Sequence, residues 1–226
     1  MNDTGKLLDT LELQTGADPG WSVVWLHGLG ADGGDFEPIV PQLVRPGWPS
    51  IRFVFPHAPM RAVTINNGMR MRAWYDIRDF DLANRADEAG VDESIAQVEA
   101  LVAREGDRGV PRNRVLLAGF SQGGAITLAA GLRSRAPFAG LVALSTYLPS
   151  AHNAKALLAP GASSQPVFMA HGTQDPVVPC AAGEQSAALL RKLGFDVDWR
   201  RYPMPHAVCA EEISDLGDWM SARLRG

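Results

Sequence analysis

Cysteine is nearly absent from this sequence: Cys180 and Cys209 are the only two in 226 residues. No C-x-x-C spacing relates them, which argues against a disulfide framework and a cysteine zinc site. Reduced thiols are expected, with a bond between the two as a minor alternative. Long hydrophobic runs are missing too. The longest apolar-looking stretch, "LLAGFSQGGAITLAAGL" (116–132), is interrupted by Ser121, Gln122, Thr127 and four glycines, which makes a poor membrane span. The opening "MNDTGKLLDTLELQ" carries Asp3, Asp9 and Glu12 where an export signal needs an unbroken apolar core. A cytoplasmic protein without stable membrane insertion is expected. No run of Lys or Arg forms a stripe, and the formal net charge is −4, so there is no electrostatic footprint for nucleic acid. Small neutral or weakly charged substrates fit better. Self-association into a homodimer is left open.

What is present is the composition of a folded enzyme, 46% hydrophobic and 20% charged. The length suits one well-buried domain spanning 1–226. Two short segments rich in β-formers, Leu7 to Leu13 and Ser22 to Leu26, come first. Strand-like runs then follow at Ile51 to Phe55, Arg114 to Phe120, Gly140 to Leu144, Val167 to His171 and Val197 to Tyr202. Helical periodicity separates the later ones. "VDESIAQVEALVARE" puts Val91, Ile95, Val98 and Leu101 or Val102 on one face, with Asp92 as its expected N-cap. "GEQSAALLRKLG" and "CAEEISDLGDWMSARLRG" share that period. Such alternation predicts an α/β fold, a mainly parallel sheet with helices on both faces and no separate cap domain. The Pro56 to Gly90 stretch lacks a helical period and is too long for a simple connection, which marks it as functional.

Gly119-Phe120-Ser121-Gln122-Gly123 spells G-x-S-x-G. Its flanks matter more than the pattern: "RVLLAGF" reads as a buried strand and "GAITLAAGL" as an apolar helix, so Ser121 falls at a strand-to-helix turn that presents a nucleophile. A serine hydroxyl needs a base and an acid, and in such folds the order is Ser, acid, His. Of five histidines, His152, His171 and His206 follow Ser121. His206, in the loop "YPMPHAV" after the last strand, is the expected base. His171 is the alternative, but it ends a strand and leaves little room for an acid before it; hydrogen bonding at the strand end is its simpler role. Asp175, in the turn after "VFMAHG", is the expected acid, with Asp196 and Asp198 as outward-facing alternatives. The second oxyanion donor should follow an early strand, and "WLHGLG" supplies it: the N–H groups of Leu29 and Gln122 are the expected pair. No metal or organic cofactor is required, and the substrate expected is a small-molecule ester.

Taken in order, "WLHGLGADG", "FVFPHAP", "WYDI", "LAGFSQGGA", "HGTQDPVVP" and "YPMPHAVCAEEI" make the chain resemble the bacterial carboxylesterases that are similar to acyl-protein thioesterases and lysophospholipases, a capless branch of the α/β-hydrolases. The resemblance implies Ser121, Asp175 and His206 as triad and Leu29 and Gln122 as oxyanion donors. It also implies that Pro56 to Gly90 is a mobile loop lining the acyl pocket. Trp74, Met71 and Gly28 are then the substrate-contacting residues, although a tryptophan is more often ordinary core. Two departures bear on substrate range: Met71-Arg72 stands where many relatives have Met-Pro, and His206-Ala207 where many have His-Ser. Cys209 reads as a small buried hydrophobe. The activity implied is hydrolysis of short- to medium-chain carboxylic esters. A thioesterase or lysophospholipase with the same machinery is the rival, and a non-catalytic binding protein on the same fold the more distant one.

Overall fold

The computed structural model describes residues 7–79 and 86–224. In chain order the strands are β1 (Thr10–Gln14), β2 (Trp21–Leu26), β3 (Ile51–Pro56), β4 (Met60–Val63), β5 (Met69–Arg72), β6 (Val115–Phe120), β7 (Gly140–Leu144), β8 (Val167–Gly172) and β9 (Val197–Tyr202). The helices are α1 (Val40–Leu43), α2 (Glu88–Asp107), α3 (Gln122–Arg133), α4 (Ala154–Leu157), α5 (Cys180–Lys192) and α6 (Ala210–Ser221). Seven strands form one sheet in the order β1-β3-β2-β6-β7-β8-β9. Only β1 runs antiparallel to its neighbour, β3; β3, β2, β6, β7, β8 and β9 pair in parallel.

Burial on both faces explains why the central strands read as continuous apolar runs rather than alternating ones. Every residue of β2, β3, β7 and β8 is buried. The period of two sends Val24, Leu26, Val54, Leu117 and Met169 to one face, where α2, α3 and α5 cover them. Val23, Trp25, Phe53, Leu116 and Phe168 point to the other, under α1 and α6 through Leu43, Ile213, Leu216 and Trp219. The sheet therefore has helices on both faces, as expected.

The differences from the sequence expectations are local. The first strand begins at Thr10 rather than Leu7. The helix read from Val91 starts three residues earlier, at Glu88, with Asp87 as its N-cap residue. Asp92 is thus an exposed interior residue and ion-pairs with Arg133. Gly90 hid the first turn: glycine weakens a helical signal, yet here a Cβ would lie 3.1 Å from that of Tyr75, so close packing requires it. α5 likewise begins at Cys180, ahead of Gly183. Within the long Pro56 to Gly90 stretch, β4 and β5 pair antiparallel as a hairpin. The part of that stretch from 80 to 85 lies outside the described residues, as do 1–6 with Asp3, and 225–226.

Chain order along the sheet reverses between β2 and β6: β3 lies on one side of β2, and β6 and all later strands lie on the other. Leu26 pairs with Gly119, so the loops leaving β2 and β6 start side by side at the carboxyl edge. A crevice at such a reversal is where open α/β sheets bind ligands.

Candidate active site

Ser121 stands between β6 and α3 with φ 53° and ψ −118°, a strained backbone that persists only where surroundings impose it. The imposing contacts are short. A Cβ on Gly119 would lie 2.4 Å from the carbonyl of Gly123, and one on Gly123 only 2.2 Å from Leu26 O. Both glycines of the elbow are therefore required by close approach of backbone. Ser121 N–H donates to Leu144 O at 2.8 Å, and Thr146 Oγ1 donates to Ser121 O at 2.6 Å. The serine is thereby fixed to β7 as well as β6.

The three residues expected as a triad, 31 and 85 positions apart, come together. Ser121 Oγ lies 3.0 Å from His206 Nε2, and His206 Nδ1 lies 2.6 Å from Asp175 Oδ2. A carboxylate accepts only, so Nδ1 carries the ring proton and Nε2 is free to accept from the serine hydroxyl. Asp175 Oδ1 takes the N–H groups of Val177 and Val178, at 2.8 and 2.9 Å, and its side chain is fully buried. The loops after β8 and β9 that carry Asp175 and His206 are stitched to each other. Gln174 N–H donates to Met204 O at 3.1 Å, and a Cβ on Gly172 would collide with Met204 O at 2.3 Å. Asp198, an alternative acid, pairs with Arg200 instead.

Gln122 opens α3, where the first N–H groups have no intrahelical acceptor. Facing it is the His27–Gly30 loop. Gly28 lies against Ser121, since a Cβ there would meet Ser121 Cβ at 3.5 Å. Leu29 is half-buried and packs on the α2, α3 side of the core. The loop is held by His27, which is buried: Ala58 N–H donates to its Nε2 at 3.0 Å, and its Nδ1–H donates to Gly28 O at 2.7 Å. Burial pushes the His27 imidazole below its ordinary pKa, which keeps it in the neutral form this pattern needs. Gly30, at φ 77°, donates to Arg72 O at 2.9 Å.

Met71 sits beside this loop; its sulfur is 3.8 Å from where a Gly30 Cβ would be and accepts from Asn66 Nδ2 at 3.4 Å. Trp74 is placed differently from the expectation. It has no exposed surface and belongs to the core, so it does not line an open pocket. Its polar groups explain the burial. Trp74 N–H donates to Gln122 Oε1 at 2.8 Å, Gln122 Nε2 donates to Tyr75 O at 2.7 Å, and the indole N–H donates to His27 O at 2.9 Å. Ser94 Oγ completes the set by donating to Trp74 O. Trp74 thus clamps the His27–Leu29 loop to the start of α3.

Sequence reasoning missed His27, Thr146 and Phe120 as parts of this site. Phe120, the second residue of the G-x-S-x-G pattern, packs its ring against the His206 imidazole at 4.8 Å. An aromatic next to Ser121 was the available signal. Among the described residues no group of three or more His, Cys, Asp or Glu is placed to hold a metal ion, and no helix is long and apolar enough to cross a membrane.

The phospholipase/carboxylesterase family model matches residues 12–224. Acyl-protein thioesterase 1 of Cryptococcus neoformans is 37% identical over 221 residues, covering 90% of this chain and 92% of that protein. Carboxylesterase SOBER1 of Arabidopsis thaliana is 32% identical over 207 residues, covering 90% and 91%. The SOBER1 crystal structure superposes with a TM-score of 0.85 over 91% of this chain and 99% of that one. Acyl-protein thioesterase 2 of Zea mays, 27% identical, gives 0.86 over 96% and 99%. These relatives are fungal and plant proteins, so they lend no support to the bacterial branch that the motifs suggested. The chain belongs to the phospholipase/carboxylesterase family and is a serine hydrolase of the α/β-hydrolase fold.

Proposed function

We propose that the protein hydrolyses short- to medium-chain carboxylic esters through Ser121, His206 and Asp175. The observation that carries this reading is the unbroken hydrogen-bond chain from Ser121 Oγ through His206 to Asp175, at 3.0 and 2.6 Å, on a strained strand-to-helix turn. Ser121 Oγ attacks the ester carbonyl as its proton passes to His206 Nε2. Asp175 holds the Nδ1–H tautomer and stabilises the imidazolium. The N–H groups of Leu29 and Gln122, held to one another by Trp74, receive the oxyanion. His206 then gives its proton to the departing alcohol, leaving an acyl-Ser121; water, deprotonated by the same imidazole, releases the acid and restores the serine. The cytoplasm is the compartment proposed, in keeping with two unpaired cysteines.

The short-chain preference rests on the β4–β5 hairpin, which sets Met71 beside Gly30 and carries Arg70 and Arg72 on its opposite face, where their guanidinium groups donate to Met60 O and Ala58 O at 3.0 and 2.9 Å. Burying a charge against a long acyl tail is costly. Thioester hydrolysis is the second reading, favoured by relatives named acyl-protein thioesterase. The test is kcat/KM against acyl length for oxygen esters, thioesters and lysophospholipids, with fluorophosphonate labelling of wild type and Ser121→Ala. The ester reading expects a maximum at about four to eight carbons, because each methylene gains about 0.8 kcal/mol only while it can be buried. It also expects Ser121→Ala to lose about 10⁴-fold in kcat and all labelling. Values that climb through about sixteen carbons, or thioesters that outpace matched esters, select the rival. A labelled or active Ser121→Ala overturns the nucleophile.

A further inference from the structure

A second histidine touches the candidate acid. His171, near the end of β8, is completely buried, and its Nε2 faces two acceptors: Val178 O at 2.9 Å and Asp175 Oδ2 at 3.3 Å. Two acceptors at one nitrogen put the ring proton there, shared between a shorter arm to the carbonyl and a longer one to the carboxylate. Nδ1 is consequently a bare lone pair, and among the described residues it has no hydrogen-bond partner. An orphaned buried acceptor carries the full penalty of its desolvation. That cost is unexplained if the histidine merely fills space.

The ring cannot turn away. A Cβ on Gly183 of α5 would lie 2.4 Å from Nδ1, and the Trp199 ring of β9 stands 6.1 Å off. β8, α5 and β9 together aim Nε2–H at the turn that holds Asp175. The carboxylate is then surrounded on every side: Val177 and Val178 N–H on Oδ1, His206 and His171 on Oδ2.

We propose that His171 is a positioning residue for the triad, a buried neutral donor that shares Asp175 Oδ2 with His206 and so fixes the carboxylate against the catalytic imidazole. The inference rests on the proposed roles of Ser121, Asp175 and His206. The titratable groups that act on the ring are Asp175 and His206; α5 and β9 pack Gly183 and Trp199 against it, and they carry the neighbouring ionisable residues Cys180 and Glu184 at the start of α5 and Arg201, the register partner of His171 on β9. Burial pushes the His171 imidazole below its ordinary pKa. The neutral form suits the role, because a charged ring there would oppose formation of the His206 imidazolium. Without the His171 donor, Oδ2 is less shared and attracts the His206 proton more strongly.

The experiment follows the His206 imidazole of the full-length protein by NMR titration, which needs no turnover, alongside the pH profile of kcat/KM. The variants are His171→Leu, His171→Asn and His171→Gln. Leucine removes the donor, and the asparagine amide falls short of Asp175, whereas the glutamine amide nitrogen reaches the place of Nε2. In the leucine and asparagine variants the His206 midpoint should rise by about half a unit to one unit relative to wild type. Their kcat should fall about tenfold, with KM changed less than about twofold. Glutamine should restore both. A His206 midpoint that stays within ~0.2 units of wild type in every folded variant overturns the proposal, whatever happens to Tm. Absence of esterase turnover in wild type, with the NMR shift intact, instead overturns the catalytic reading on which it rests.

Discussion

Glu212 sits in the first turn of α6, six residues after His206, and is completely buried. Neither carboxyl oxygen has a hydrogen-bond partner among the described residues. Burial pushes its pKa from the ordinary 4.5 up to about 8; the nearby Cys209 backbone N–H favours the ionised form but makes no well-formed hydrogen bond to it. The folded protein therefore keeps a proton on Glu212 that the unfolded chain loses above pH 4.5. With more protons bound in the folded state, stability must fall as pH rises from about 4.5 to about 8, and level off beyond. The slope is about 1.4 kcal/mol per pH unit, so a window of roughly three and a half units amounts to ~5 kcal/mol as an upper figure. Glu212→Gln preserves shape and cap but cannot ionise. At pH 8 it should be more stable than wild type by about 3–5 kcal/mol, and the two should converge near pH 4.5. Urea unfolding of both proteins at intervals from pH 4.5 to 8.5 measures the difference directly. A gap that stays constant across that range, or a glutamine variant less stable throughout, would refute the account of a buried, protonated carboxyl.

Asp175→Asn should lose about 10⁴-fold in kcat, because an amide cannot hold His206 in the working tautomer. Asp198→Asn removes only a half-exposed pair with Arg200 and should stay within about twofold of wild type; steady-state kinetics on a short aryl ester compares them. Trp74→Phe keeps an aromatic ring in place but deletes the indole N–H to His27 O and leaves a small void where the five-membered ring stood. It should cost about 1–3 kcal/mol in urea unfolding and lower kcat more than it raises KM, since the clamp on the His27–Leu29 loop, the proposed oxyanion donor, is lost. A variant with unchanged kcat would show that His27–Leu29 holds its own shape.

The sheet was legible in the sequence because strands buried on both faces leave an uninterrupted apolar run, and the main-sheet strands lie within three residues of where those runs put them. The Ser121 turn was legible for a similar reason: close approach of backbone to Gly119 and Gly123 leaves glycine as the residue that fits at both positions. The order of Ser121, Asp175 and His206 along the chain could be read as well, since the loops at one sheet edge follow strand order.

What the sequence could not give are the contacts that no local period encodes. Trp74 reads the same as pocket wall or core, and only its hydrogen bonds to Gln122 and His27, across 48 and 47 residues, place it in the core as a clamp. The β4–β5 hairpin did not stand out although Met69-Arg70-Met71-Arg72 alternates, because each strand is four residues long and largely exposed and is anchored through backbone bonds such as Gly30 N–H to Arg72 O rather than by a buried apolar face. His171 was read as a strand-end residue, and its second contact, to Asp175, depends on how α5 and β9 trap its ring. The sequence by itself determined which strands are buried and where the chain must turn, since both follow from local chemistry. Only the tertiary structure decided which polar groups face one another, because hydrogen-bond partners far apart in the chain are chosen by packing.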